Sequence, residues 1–315
     1  MIANKAKQVT NTILMVRPVR FRMNEQTAVN NFFQEDLDLK NQTINARAQE
    51  EFDAFTEALG GKGVEVIVIE DTFEKDTPDS IFPNNWISFH EDGTVVLYPM
   101  FAENRRRERR EDILDTLETK GFTIKAVMDY SGAEADGLFL EGTGSIVLDR
   151  QNKYAYCSLS DRADEGLFIE FCEDFEYTPV IFTAYQSVDG KRKPIYHTNV
   201  LMCVAEQLAV VCLDAIDDRK ERNNVLQHLK QSGKEVLNIS EEQLHHFAGN
   251  MLQLEGHGGD YVMAMSSSAF HSLSTSQIEV IEKHNTIVHS SLETIETCGG
   301  GSARCMMAEI FLPRG

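Results

Sequence analysis

Apolar positions along this chain switch between two periods, and the switch repeats. Residues 86–90 and 94–98 are short strand-like runs separated by a turn, Glu91-Asp92-Gly93. Over 104–120 the spacing becomes helical, with Ile113, Leu114 and Leu117 on one face and Gly121 as the C-cap. A third strand follows over 122–128. The unit reads strand, strand, helix, strand.

The same unit recurs. Strands over 144–149 and 153–158 precede a helix over 161–172 and a strand over 178–184. Strands over 199–205 and 208–213 precede a helix over 216–231 and a strand over 235–239. Strands over 251–254 and 261–265 precede a helix over 274–284, where Ser274 and Gln277 fit a capping box, and a strand over 286–289. First strands begin near 86, 144, 199 and 251, a period of roughly 55 residues that marks a repeat architecture. The N-terminal part supplies only strand 13–17, a helix over 46–59 and strand 64–69. Its missing first strand stands at the other end, over 305–312. A fifth unit assembled from both ends closes a ring. The pattern predicts one α/β domain over 1–315, a five-bladed pseudo-symmetric α/β propeller of ββαβ repeats closed by pairing of the N- and C-terminal segments. The competing architecture is an open α/β sandwich whose spacing is coincidental.

The ring changes how polar residues are weighed. Just ahead of the first strands stand Pro83-Asn84-Asn85, Leu140-Glu141-Gly142, Tyr196-His197-Thr198, Gly249-Asn250 and Arg304-Cys305. In a pseudo-symmetric ring these positions are equivalent and converge near the axis. A nucleophile, a base and an orienting carboxylate need only be spatial neighbours. Taken singly, Cys305 is more often a buried strand residue, and His197 or Glu141 an ordinary polar residue at a strand end. Their common phase favours chemistry. Cys305 also follows Cys298-Gly299-Gly300-Gly301-Ser302, where glycines let backbone N–H groups approach a ligand.

Charge narrows the partners. The 315 residues carry 30 Lys+Arg against 50 Asp+Glu, a formal charge of −20. Such a field repels phosphate backbones and anionic lipid, so neither nucleic acid nor membrane is expected. No apolar run reaches membrane-spanning length, and the stretch MIANKAKQVTNTILMV lacks a secretory core and cleavage site, which makes the cytoplasm the expected location. The six cysteines show no CxxC or Cys/His zinc spacing, so no structural disulfide and no structural zinc is expected. Residues 105–111, the basic run, read mainly as a solvated helical turn with i, i+4 ion pairs, with one or two arginines facing the site.

These residues together resemble the guanidine-modifying enzyme superfamily of arginine deiminases, amidinotransferases and dimethylarginine dimethylaminohydrolases, over nearly the whole chain. The stretch Pro78-Asp79-Ser80-Ile81-Phe82-Pro83-Asn84-Asn85 resembles a dimethylarginine hydrolase segment reading P-D-S-V-F-x-E-D. Phe139-Leu140-Glu141-Gly142 resembles the catalytic carboxylate motif, and His197 and Cys305 match its histidine and nucleophile. The Phe82-Pro83-Asn84-Asn85-Trp86 form with a C-terminal Gly299-Gly300-Gly301-Ser302-Ala303-Arg304-Cys305-Met306 looks closest to the citrulline-utilisation hydrolase branch.

The resemblance implies the same propeller (pentein) fold and a covalent, cofactor-free hydrolysis. Cys305 attacks a guanidino or ureido carbon, His197 shuttles the proton and Glu141 orients. Asp79, Asn84, Asn85, Arg106 and Arg162 then bind substrate, the arginines through its α-carboxylate. Asn84 and Asn85 stand where relatives carry carboxylates that grip guanidinium, and Thr143-Gly144 replaces a usual Gly-Asp. An amide donates to a carbonyl oxygen, which a carboxylate does not. The implied substrate is therefore citrulline, cleaved to ornithine, ammonia and carbon dioxide. Arginine deiminase, dimethylarginine dimethylaminohydrolase or amidinotransferase activity is the alternative. A non-catalytic propeller binding module, as in a ribosome-associated translation factor, is the rival from another class.

Overall fold

The computed structural model describes residues 6–315; residues 1–5 of the N-terminal stretch lie outside them. The described residues form five three-stranded sheets and one two-stranded hairpin. One sheet joins Ala308–Glu309, Thr12–Arg17 and Glu65–Glu70. The others are Ile87–Phe89, Thr94–Leu97 and Ala126–Asp129; Ile146–Asp149, Tyr154–Ser158 and Thr178–Phe182; Met202–Val204, Leu208–Val211 and Glu235–Asn238; and Leu252–Glu255, Tyr261–Ser266 and Thr286–Ser290. In each, the first pair is antiparallel and the second parallel. A parallel pair needs a crossover, and a helix supplies it every time: Asn41–Gly60, Asp112–Thr119, Glu165–Asp174, Arg219–Gln231 and Thr275–Glu282.

The strand from the C-terminal part docks on the N-terminal one, with Ile13 opposite Glu309 and Leu14 opposite Ala308. First strands of neighbouring sheets touch: Ala308–Glu309 meets Ile87–Phe89, and Met202–Val204 meets both Ile146–Asp149 and Leu252–Glu255.

The helices cover the sheets with one apolar stripe each. Asn41–Gly60 buries Ile44, Ala48, Phe52, Phe55 and Leu59, a three- and four-residue spacing that keeps all five on one face. Phe52 has no exposed surface. Phe52→Ala is expected to cost about 3–5 kcal/mol, measured by urea unfolding, with the sheet content of the folded state unchanged. Among the described residues no helix is long and apolar enough to cross a membrane. All six cysteines are buried free thiols.

Three features depart from the sequence reading. The helix expected over 104–120 is broken into a 3₁₀ turn, Arg105–Glu108, and the helix Asp112–Thr119. Arg109 is extended between them because its guanidinium donates to the Tyr98 carbonyl and to Glu134. The hairpin Tyr185–Val188 and Lys191–Pro194 is an addition to the repeat. Finally, a single helical turn precedes several first strands: Pro83–Asn85, Gly142–Ser145, Thr198–Leu201 and Ala303–Met306.

Candidate active site

Those turns carry the residues that the repeat brought into phase. Glu141 and His197 are the N-caps of Gly142–Ser145 and Thr198–Leu201, and Cys305 lies within Ala303–Met306. Gly142–Ser145 packs on both Pro83–Asn85 and Thr198–Leu201, and Pro83–Asn85 packs on Ala303–Met306. Four distant stretches of chain thereby meet.

Glu141 is fully buried. Its Oε2 lies 2.7 Å from His197 Nε2, and its Oε1 accepts the Phe101 amide at 3.0 Å. Arg162 Nη1 approaches Oε2 at 3.6 Å and Arg105 Nη1 at 4.0 Å. Burial opposes ionisation, but Arg162, the His197 hydrogen bond and Arg105 overcome it and hold the carboxyl at about 2. An ionised Glu141 only accepts, so the proton sits on His197 Nε2 and leaves Nδ1 as the basic nitrogen. Burial first, then the positive field of Arg162 and Arg105, push the imidazole down to about 4 against the pull of Glu141. His197 is neutral at neutral pH and able to take a proton.

The sign of the resulting pH dependence follows. Between pH 6.5 and about 4 an unfolded imidazole binds a proton that the buried His197 does not. Stability is therefore complete above pH 6.5 and falls as pH drops towards 4, by about 3 kcal/mol from this group. Glu141, depressed from 4.5 to about 2, extends the loss below pH 4.5. Thermal melts from pH 8 to 4 should show this decline, and His197→Gln should lack its upper part.

Cys305 is buried beside two amides. Asn250 Nδ2 donates to its Sγ at 3.3 Å, and Asn199 Nδ2 stands at 3.6 Å. Asn250 is itself fixed, with its Oδ1 accepting the Arg304 amide at 3.0 Å. Asn250 occupies the phase-equivalent place ahead of its strand; Asn199 lies inside a helical turn that the sequence reading took for strand.

Cys305, His197, Asn85, Asp79 and Arg162 line one small cavity, together with Thr27, Asn31, Arg105 and Tyr196. Asp79 is 2% exposed; its Oδ2 accepts from Asn24 at 2.7 Å, and its Oδ1 has no partner among the described residues. Burial raises this carboxyl, with Arg105 and Asn24 pulling it back. Asn85 accepts from Arg105 Nη1 at 2.7 Å and donates to Asn84 Oδ1 at 3.1 Å. Asn84, fully buried, sits behind Asn85 and donates to Thr143 at 3.3 Å. Arg162 stacks over Tyr196, its carbon 4.8 Å from the ring centre.

The basic run resolves differently from expectation. Arg105 turns inward, clasping Glu108 through two bonds of 2.9 Å, while Arg106 lies outside the cavity wall. Arg106 donates to the Met100 and Phe101 carbonyls and covers Phe139. The reason is the broken helix, which turns residue 105, not 106, towards the cavity.

Residues 18–40, unread in the sequence, form a strap across the cavity. Asn24 bonds Asp79 and Asn104, Asn30 accepts from Arg162 at 2.5 Å, and Asn31 donates to the Gly299 and Gly300 carbonyls. The only sequence signal was the density of asparagines. Gly300 is left-handed at φ 60° as the C-cap of Glu293–Gly299, and its carbonyl also accepts from the Tyr196 hydroxyl. The glycines thus serve the loop's path around the site.

Gly144 is constrained by contact. A Cβ there would lie 2.4 Å from Asn85 Nδ2 and 2.8 Å from His197 Nδ1. Gly144→Ala is expected to displace the imidazole and lower kcat about 100-fold with the fold retained, measured by steady-state kinetics beside circular dichroism. Among the described residues no cluster of three His, Cys, Asp or Glu has metal-binding geometry; His245 packs edge-on against Phe33.

Comparison with known proteins bears on the family and the fold. The family described as "N,N dimethylarginine dimethylhydrolase, eukaryotic" matches residues 17–312. No curated protein matches the chain. Among solved structures, apo ArgZ, an arginine dihydrolase from the ornithine-ammonia cycle in cyanobacteria, superposes with a TM-score of 0.71 and 18% identity over 96% of this chain. This chain spans 41% of that protein. It spans 99% of the N-terminal domain of ArgZ solved with product, at a TM-score of 0.67, 18% identity and 96% of this chain. A dimethylarginine dimethylaminohydrolase captured as an adduct with S-methyl-L-thiocitrulline gives 0.64 at 15% identity, covering 96% of this chain and 100% of that one. These likenesses are in fold.

Proposed function

From the premise that the chain belongs to the N,N dimethylarginine dimethylhydrolase family, within the guanidine-modifying superfamily, we propose that it is a cysteine-dependent hydrolase of the guanidino carbon of an arginine-related amino acid. The observation that carries the reading is one cavity lined by Cys305, His197 and Asp79, with Glu141 holding His197 from behind. His197 Nδ1 takes the thiol proton as sulfur attacks the sp² carbon. The C–N bond breaks, and the leaving nitrogen departs with that proton. Water then gives a proton to His197 and its oxygen to the carbon, and the C–S bond breaks to return the thiol. Every step uses side chains of this protein and water. Arg162 takes the substrate carboxylate, and the free Oδ1 of Asp79 takes its cationic end.

A ureido substrate is the second reading. It rests on Asn85, whose amide lines the cavity where a carboxylate would favour guanidinium alone. On that reading citrulline is cleaved to ornithine, ammonia and carbon dioxide. We read the five sheets as blades of one propeller domain over 1–315, and the free thiols as fitting a reducing cytoplasm.

The test compares kcat/KM for L-arginine, N,N-dimethylarginine and L-citrulline in wild type, Asn85→Asp and Asp79→Asn. Guanidino turnover by wild type, further raised relative to citrulline by Asn85→Asp, is expected. Asp79→Asn should lower arginine turnover about 100-fold more than citrulline turnover. Preference of the wild type for citrulline would favour the ureido reading, and no turnover of any of the three would refute both.

A further inference from the structure

A second cavity, of about 620 Å³, opens on the outer side of the wall that closes the catalytic one, and the two share no lining residue. That volume suits a small organic ligand. The wall consists of the strap and the helix Glu293–Gly299, joined by the Glu35 amide donating to the Thr297 carbonyl at 2.7 Å and Gln34 donating to the Cys298 carbonyl at 3.0 Å. The opposite wall includes the added hairpin, which contributes Gln186.

The lining has two halves. Glu35, Glu293 and Glu296 make it acidic, and Phe33 and Phe247, with ring centres 5.3 Å apart, give it an apolar flank. At its rim the Lys193 ammonium already lies over Phe32, 5.4 Å from the ring centre. The acids alone would be an ordinary solvated cluster. Gln186 is different: it is 1% exposed, lines this cavity, and its Nε2 has no partner among the described residues. A buried amide N–H left unbonded is destabilising unless a ligand acceptor meets it.

We propose that this cavity is a second small-molecule site, for an α-amino acid with a cationic side chain. Gln186 donates to the α-carboxylate, the phenylalanine rings hold the aliphatic stem, and the glutamates take the cationic end. Carboxylates suit guanidinium and ammonium alike. Glu296 also accepts from Ser302 Oγ at 2.5 Å, three residues ahead of Cys305, so an occupant bound to Glu296 is one hydrogen bond from the segment that carries the cysteine.

Binding here does not depend on the chemistry of the catalytic cavity, and one titration separates the two. Calorimetry of Cys305→Ser with L-arginine should give two equivalents per chain. Adding Glu293→Gln or Gln186→Leu should weaken one of them at least 10-fold and leave the other, while adding Arg162→Ala should do the reverse. Glu293 is exposed, so its variant tests the site without a folding burden. No equivalent, or one or two equivalents insensitive to both Glu293→Gln and Gln186→Leu, would overturn the second site, whereas a single equivalent weakened by them would support it and count against the catalytic reading. A single equivalent lost only in the Arg162→Ala protein would do so while leaving the proposed catalytic role intact.

Discussion

Cys305→Ser is expected to lower turnover by about 10⁴-fold or more while leaving the fold and its Tm nearly unchanged. The sulfur forms the covalent bond in the proposed reaction, and a serine hydroxyl at the same place is a far weaker nucleophile at neutral pH. The change is small and polar, and Asn250 and Asn199 donate to oxygen as readily as to sulfur. No other thiol can substitute. Burial pushes Cys172 and Cys203 up to about 12 and Cys212 to about 11, and raises Cys157 and Cys298 as well. Such thiols stay protonated and inert. Intact-protein mass spectrometry with an electrophilic guanidino analogue should find one adduct, on the peptide containing Cys305 and absent from the variant. Labelling of Cys298 instead would contradict the assignment of the nucleophile.

Glu141→Gln is expected to damage both chemistry and stability. An amide keeps the shape but removes the charge that two buried guanidinium groups face at 3.6 and 4.0 Å. Arg105 retains Glu108, whereas Arg162 keeps only neutral partners in Asn30 and the Thr27 carbonyl. Leaving a buried charge uncompensated costs about 3–5 kcal/mol, to be read from urea unfolding. The catalytic loss has a separate cause. A glutamine can offer its N–H to the imidazole, which permits the tautomer with its proton on Nδ1 and no free base facing the cavity. A fall in kcat of about 10²–10⁴-fold is expected, with a much smaller change in KM. Single-turnover kinetics separates the two effects. Retention of kcat within tenfold would show that His197 does not depend on this carboxylate.

The repeat was legible because each unit changes period twice, from alternation to a helical stripe and back, and that change is a property of local sequence. Cys305, His197, Glu141 and Asn250 were legible as a set for the same reason: each stands one turn ahead of a first strand. What lay beyond reading depends on distant partners. The strap has no period of its own and is held by Asn24, Asn30 and Asn31 bonding groups up to 269 positions away. Arg105 and Arg106 are alike in sequence, and a break in the helix decides which points inward. Asn199 stayed hidden because a four-residue helical turn gives no periodic signal before the strand begins.

The sheet shared by the two chain ends has a consequence for how the protein is made. Four sheets draw on contiguous stretches and can form in turn as the polypeptide leaves the ribosome. The remaining one holds Thr12–Arg17 and Glu65–Glu70 early, but its edge stays uncovered until Ala308–Glu309 has been synthesised. The cysteine precedes that strand by only a few residues and reaches its asparagines at the same moment. A nascent chain therefore exposes an unpaired strand edge until residues 308–309 have emerged, a risk for association between chains, and completes its cysteine site no earlier than that. Stalled chains ending before residue 300 should be more prone to association than the full chain, and inert.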